Sequence, residues 1–377
     1  MDIEGWTELC LGEILCSKND KSKQVKSSEY QLIGLYPIID QSSDFICGYC
    51  DDSKKVINNE LPYTIFGDHT RHTKFVNFPF VVGADGTQII KPIQSVDDRF
   101  FFYLVSDAAN KIGNYGYDRH FKHLREFRCI FPIDKKEQTQ IAEVLSTIDR
   151  AIAQTEAIIA KQQRIKTGLM QDLLTKGIDE NGNIRSEDTH QFKDSAIGRI
   201  PVEWEVEIIG KIASLQRGHD ITEVEFIAGE YPVISSSGII GFHNISTSDS
   251  PNVVVGRKGS IGNVYYIDVD FWAHDTSLYV TNFFGNNKKY IYYLFSYLEL
   301  ERFGTKSGSP SLNRNDIHPL KNSLPTPSEQ ERISKILTRF DNSISNLKSS
   351  LNKLQCQKTG LMQDLLTGKV RVTNLLN

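Results

Sequence analysis

Few residue groupings in this sequence have the types and spacing that chemistry needs, and those few point to nucleic acid. GDHTRHTK at 67–74 packs two histidines, an arginine, a lysine and two threonines into a polar turn behind the apolar run YTIF. Arginine can offer two parallel bonds to guanine, and threonine and histidine can donate to base edges or phosphates. His69, Thr70, Arg71, His72 and Lys74 are therefore candidate DNA contacts. DRHFKHLREFR at 118–128 sets Arg119, Lys122, Arg125 and Arg128 at three-residue steps, with His120 and His123 beside them. Asp118 is placed to cap a short helix there. In GRKGSIGN at 256–263 the glycines let backbone N–H groups approach a phosphate, next to Arg257, Lys258 and Ser260. SGSPSLNRND at 307–316 adds Asn313 and Arg314. By residue type alone, 67–74 also fits a solvated polar loop, and 118–128 a surface helix of ordinary Lys and Arg.

Catalytic groupings are missing. No GxxxxGK[ST] loop for nucleotide phosphates occurs, and no GxGxxG. No NPPY-like run for adenine methylation occurs either. Cys47 and Cys50, followed by His69 and His72, supply four zinc-ligand types, but C-x2-C-x18-H-x2-H matches no ordinary finger. Cys47 and Cys50 also alternate with Ile46 and Tyr49 as strand residues do, so packing cysteines are the simpler account and no metal is expected. His190, His219, His243, His274 and His318 show no pairing pattern and read as structural or solvated.

The bulk properties bound the rest. The chain has 377 residues, with Lys+Arg 43, Asp+Glu 47 and a net charge of −4. That balance excludes a globally basic coat but not a local basic patch, because charges are screened beyond about 10 Å at 0.1 M salt. With 39% hydrophobic and 24% charged residues the composition is globular. The length suggests two or three domains at roughly 150 residues each. No run of apolar residues is long enough to span a bilayer, and the opening MDIEGWTELC does not read as a secretory leader. With only six cysteines, the expectation is a cytoplasmic protein without membrane contact.

The elements that must position these groups come in a duplicate set. KTGLMQDLLT occurs at 166–175 and again at 358–367, and 137–178 aligns without gaps to 329–370 with 18 of 42 positions identical. In each copy apolar residues recur at steps of four and three. The first runs Ile141, Leu145, Ile148, Ile152, Thr155, Ile159, Gln162, Lys166, Leu169, Leu173. The second runs Ile333, Leu337, Phe340, Ile344, Leu347, Leu351, Leu354, Lys358, Leu361, Leu365. This is a coiled-coil seam of about five heptads. Ser328 with Glu331 has capping-box spacing, and Asp134 with Glu137 is a looser version. Gly177 and Gly368 lie where each helix should stop. Gly168 and Gly360, matched inside the pattern, suggest close approach of another backbone. Fainter echoes precede the helices: GWTELCLGEI at 5–14 with EWEVEIIGKI at 203–212, and LYPIID at 35–40 with EYPVIS at 230–235. YTIFGD at 63–68 likewise echoes VVVGRK at 253–258. The chain therefore reads as a tandem duplication of strand-rich globule and long helix, joined by a polar connector at 179–200.

That order, with GLMQDLLT closing each helix, resembles the specificity subunit of type I restriction-modification systems. The connector GIDENGNIRSEDTHQFKDSAIGRIPVEWEV and the ending GLMQDLLTGKVRV carry the likeness over essentially the whole chain. The resemblance implies an α+β protein. Its two strand-rich recognition domains, at 1–134 and 201–327, would be separated by conserved helices at 135–178 and, together with a C-terminal tail, at 328–377, with the connector at 179–200. The helices would form an antiparallel coiled coil with pseudo-two-fold symmetry. It implies a non-catalytic subunit that reads a bipartite site on double-stranded DNA. The subunit would dock two methyltransferase subunits, and two motor-nuclease subunits can join. Met170, Leu174, Met362 and Leu366 fall off the seam and are the expected methyltransferase contacts. No cofactor is expected on this chain; S-adenosylmethionine, ATP and Mg would belong to the partners.

Overall fold

The computed structural model describes residues 3–113, 119–305 and 310–375. The chain divides into two compact units, Met1–Glu156 with Ser349–Asn377, and Ala157–Lys348.

The first unit begins β1 (Trp6–Cys10), α1 (Leu11–Ile14), β2 (Leu15–Ser17). Then come β3 (Tyr36–Ile39), β4 (Gly48–Cys50), β5 (Val56–Ile57) and β6 (Tyr63–Gly67). Next are β7 (Thr73–Val76), β8 (Phe80–Val82), β9 (Thr87–Pro92), α2 (Asp98–Lys111), α3 (His120–Glu126) and β10 (Arg128–Pro132). The long helix α4 (Lys135–Thr175) follows and passes into the second unit's residues. One sheet has the order β2-β9-β6-β7, another β4-β3-β8-β5, and β1 pairs with β10. β6 is buried at every residue because strands flank it and both its faces are covered, so its sequence is a continuous run rather than an alternation. Phe100, Phe101, Leu104 and Val105 of α2 pack with Leu11, Ile14, Phe66 and Ile90, and with Ile141 and Leu145 of α4.

After α4 the connector is not the plain loop its polarity predicts. It folds back as a hairpin of β11 (Phe192–Ser195) and β12 (Gly198–Pro201). Then follow β13 (Glu205–Ile208), α5 (Ile209–Ile212), β14 (Ser214–Arg217), β15 (Tyr231–Ser235), β16 (Gly238–His243) and β17 (Asn252–Gly256). β18 (Val264–Ile267), β19 (Trp272–Ala273), β20 (Ser277–Asn282), α6 (Lys288–Tyr297), α7 (Arg314–Ile317), β21 (Lys321–Leu324) and the long helix α8 (Pro327–Leu365) complete the chain. The sheets here run β14-β20-β17-β18 and β16-β15-β19, with β13 on β21. Strand for strand this repeats the first unit, without a counterpart of β5.

Within each unit one long helix packs antiparallel on the other. In the first, Lys358 pairs with Asp149, while Leu365 and Leu366 share a core with Ile141 and Ala142. In the second, Lys166 pairs with Asp341, while Leu173 and Leu174 share a core with Ile333 and Leu337. Rising along one helix means falling along the other in both cases. The aspartates are also held from the globule: Tyr103 donates to Asp149 and Tyr293 to Asp341, each at 2.7 Å. Burial pushes both phenols above their ordinary pKa.

The repeated Glu-Gln pair at the head of each helix has one job in both units. Gln138 bonds the Asp97 amide at the N-cap of α2 and the Pro132 carbonyl, each at 2.8 Å. Gln330 does the same at the Asn287 amide and the Pro325 carbonyl, each at 2.9 Å. Glu137 binds Arg371, which lies over Trp6; Glu329 binds Arg185 and accepts the Trp204 indole N–H at 3.0 Å.

Helix caps and glycines divide. Asp134 caps α4 through the Lys136 amide at 2.9 Å, but α8 is capped by Thr326, not Ser328, because Pro327 already occupies its first turn. Gly177 and Gly368 adopt φ +68° and +69°, the left-handed stop that glycine tolerates best. Gly168 and Gly360 face open space, with nothing within 4 Å of an added Cβ, so no other backbone approaches there.

Candidate nucleic-acid interface

Each unit carries a cleft at the same place in its topology. The first, of about 660 Å3, is lined by Gly12 and Glu13 of α1, Asp68 after β6, Gln88 of β9, and Arg119, Lys122 and Arg125 on or beside α3. The second, of about 550 Å3, is lined by Gln216 and Arg217 of β14, His219, Arg257 after β17, Leu278 of β20, and Asn313 and Arg314 at α7. Gly67 pairs with Thr87 as Gly256 pairs with Ser277, which makes Asp68 equivalent to Arg257 and Gln88 to Leu278. The helix after each cleft is tied in the same way. The His120 amide donates to the Asp68 carbonyl, and the Leu312 amide to the Arg257 carbonyl, each at 2.9 Å.

A carboxylate organises each wall. Asp68 is buried, and its side chain accepts the Phe121 amide at 2.8 Å and Gln88 Nε2 at 3.4 Å. Arg119, 73% exposed, stands 4.0 Å away with room to turn outward. In the second cleft Asp275 holds Arg217 NH2 at 2.8 Å, and its backbone carbonyl accepts Arg257 NH1 at 3.3 Å. Two concave surfaces that each present cationic and amide donors can hold phosphates and read base edges.

The structure separates the sequence candidates. Arg119 and Lys122 meet in the first cleft; Arg257, Asn313 and Arg314 meet in the second. Lys258 and Ser260 are half-buried further along the loop from Arg257. His69, Thr70 and His72 are exposed on the β6–β7 connection, where Thr70 donates to the Gln41 carbonyl. Arg71, at φ +61°, donates to the Ile112 carbonyl at 2.9 Å and is half-buried. Lys74 and His120 are not surface groups. Lys74 is 5% exposed and bonds the Asp44 carbonyl beside Asp40; His120 packs its ring nitrogen on the Asp68 carbonyl at 2.9 Å. Arg128 is not on the α3 stripe but in β10, paired with Glu8 at 2.7 Å. Asp118 and residues 306–309 lie outside the described residues. Cys47 donates to Asp40 at 2.7 Å, and burial raises its thiol pKa. Among the described residues no cluster of three or more His, Cys, Asp or Glu could hold a metal.

The expected methyltransferase contacts also move. Leu174 and Leu366 are 2% and 3% exposed and belong to the cores of their own units, because the last helical turn is roofed by the globule. Met170 and Met362 pack at the margins of those cores. The exposed apolar surface expected here is therefore absent at Leu174 and Leu366, while the half-buried Met170 and Met362 keep part of theirs. Sequence reading passed over Arg217, His219, Asp68, Gln88 and Asp275. The one available signal was LQRGHD at 215–220, where an arginine ends a strand just before a glycine.

Fold and clefts together define a duplicated recognition module carried on long helices. The model of the type I restriction modification DNA specificity domain matches residues 3–163 and 201–355, and the chain belongs to that family, whose subunits recognise DNA and are not catalytic. The chain is 23% identical to the MjaVIII specificity subunit of Methanocaldococcus jannaschii, over 99% of this chain and 94% of that one. It is 26% identical to the MjaX specificity subunit of the same organism, over 63% of this chain and 58% of that one. To the EcoprrI specificity subunit of Escherichia coli it is 29% identical, over 40% of each. Among solved structures, the S subunit of the type I system from M. genitalium superposes with TM-score 0.66 at 17% identity over 96% of each chain. A chain from a study of type I complex assembly and conformational transition gives 0.56 at 13% identity, over 98% of this chain and 99% of that one. These two likenesses establish the fold. Among the described residues no helix is long and apolar enough to cross a membrane.

Proposed function

We propose that this specificity subunit reads a bipartite target on double-stranded DNA, one block per cleft, and carries two methyltransferase subunits to it. The observation that supports this reading is the matched pair of clefts with unmatched linings. The strand order, the helix ties and the position in the fold agree, while Asp68, Gln88 and Phe121 of the first cleft are replaced by Arg257, Leu278 and Asn313 in the second. A scaffold that repeats while its donors differ suits two readers of different sequences. Docking is assigned to the outward faces of α4 and α8 around Gly168 and Gly360, which have open space, and two motor-nuclease subunits join through the methyltransferases. This chain binds no cofactor in this reading; S-adenosylmethionine, ATP and Mg belong to its partners, and the complex works in the cytoplasm.

Methylome sequencing of cells with and without the gene tests the reading. One two-block motif should lose modification when the gene is removed; an unchanged methylome would overturn it. Gly168→Arg with Gly360→Arg should block assembly with the methyltransferase on size-exclusion chromatography while the subunit stays folded.

A further inference from the structure

We propose that Arg217 selects a guanine in the second half-site and that Asp275 is the residue that positions it; this rests on the reading of the clefts as the DNA interface. Arg217 ends β14 and lines the second cleft, with its side chain 53% exposed. Its partner Asp275 is only 15% exposed, so the anchoring carboxylate sits in the wall while the guanidinium stands in the open. The ion pair uses one terminal nitrogen, and the remaining N–H donors stay available. A guanidinium already fixed on a wall loses less freedom when it meets a planar acceptor pair, and guanine O6 and N7 are the acceptor pair its fork matches best.

The duplicated topology provides the comparison. Arg217 pairs with Leu278 on β20. At the equivalent place in the first unit, Asn19 accepts the Ile89 amide at 2.8 Å and donates to Gln88, the counterpart of Leu278. Gln88 continues to Asp68. One unit thus presents a chained amide pair where the other presents an anchored guanidinium. A position where the backbone agrees and the donor chemistry changes is where two readers would differ.

The test uses the full chain assembled with its methyltransferase and a pool of randomised DNA duplexes, sequenced after selection. Wild type, Arg217→Lys, Arg217→Ala and Asp275→Asn are compared. The expected result is a motif with one guanine in one block that Arg217→Lys and Arg217→Ala stop preferring, by roughly ten- to a hundredfold, while all other positions stay enriched. Those retained positions report that the variants are folded. Asp275→Asn should weaken preference at the same guanine alone, and add nothing when combined with Arg217→Lys. The salt dependence of binding should stay as in wild type. If Arg217→Lys selects the wild-type motif, and Arg217→Ala weakens all sequences alike and lowers the salt slope by about one unit, Arg217 is a phosphate contact and the proposal fails. A wild-type complex that enriches no motif would instead overturn the DNA reading itself.

Discussion

His318 holds its place through a nitrogen lone pair: its Nε2 accepts the Leu215 amide at 2.9 Å. Burial, and then the Arg314 charge, keep its pKa below the ordinary 6.5. The unfolded chain therefore takes up this proton more readily than the folded one. The stabilisation is complete above pH 6.5 and is lost as pH falls through the lowered folded value. The protection factor of the Leu215 amide against exchange should be smaller at a pH of about 5.5 than at neutral pH, and His318→Gln, which keeps an acceptor, should flatten that response. Glu329 is the harder test. It is 2% exposed and holds Arg185, Trp204 and the Ile178 amide. Glu329→Ala therefore leaves the buried Arg185 with only the exposed Glu203, 3.8 Å from its Nε, and strips the Trp204 and Ile178 N–H groups of their acceptor. The expected cost is about 3–5 kcal/mol in the unfolding of the second unit, against no measurable change for the exposed Glu331→Ala. Residue type was legible in the sequence at these sites, but direction only in part. Lys74 alternates with the half-exposed Thr73 and Phe75 and shares the inward face of β7 with Val76, and His120 shares a helical face with buried Leu124. Both inward directions follow from period alone. That Arg71 would turn back to the Ile112 carbonyl, 41 residues away, does not, because no local pattern encodes a tertiary acceptor.

At the scale of elements the long helices were fully legible, and for a physical reason. All ten seam positions of each copy are buried or half-buried, since a 3.5-residue period leaves only one stripe that can face a partner helix. The sheets were legible as strand-rich globules but not in their order, because strands pair across long separations that an isolated run such as VVVG does not specify. The glycines of the helices make a paired prediction. Gly168→Ala adds a Cβ into open space inside a helix and should stabilise by about 0.5–1 kcal/mol. Gly177→Ala must hold φ +68° and place its Cβ against Glu329, Trp204 and Arg185, so it should cost at least about 1–2 kcal/mol. Thermal unfolding of the two variants should shift in opposite directions. The cross-helix pair offers a second check. Asp341→Lys sets like charges against Lys166 and takes the carboxylate from Tyr293, whose hydroxyl keeps only Thr338, and adding Lys166→Asp should recover only the charge part of the loss.

The whole molecule repeats one topology twice with different clefts, and that repetition has a consequence for inheritance of specificity. The second globule meets the rest of its own unit through shared features that do not involve its cleft: the Gln330 bonds to Asn287 and Pro325, the Tyr293–Asp341 bond, and the core around Ile333 and Leu337. The cleft residues Arg217, Arg257, Asn313 and Arg314 take no part in those joints. Apart from Leu278, which lines the cleft and also belongs to that core, joint and reader are made by separate residues, and one can be exchanged without the other. Replacing 201–326 by the matching segment of another specificity subunit should therefore keep the helices and their partners, and change one block of the target while the other block stays the same. A replacement that retains a residue corresponding to Tyr293 and a helix N-cap such as Asn or Asp at the place of Asn287, whose backbone amide makes the bond, should assemble normally; one that lacks them should assemble poorly whatever its cleft reads. Methylome sequencing of the chimera decides the matter. A motif altered in both blocks would mean that the two clefts do not read independently, and the duplication would then be one of scaffold only.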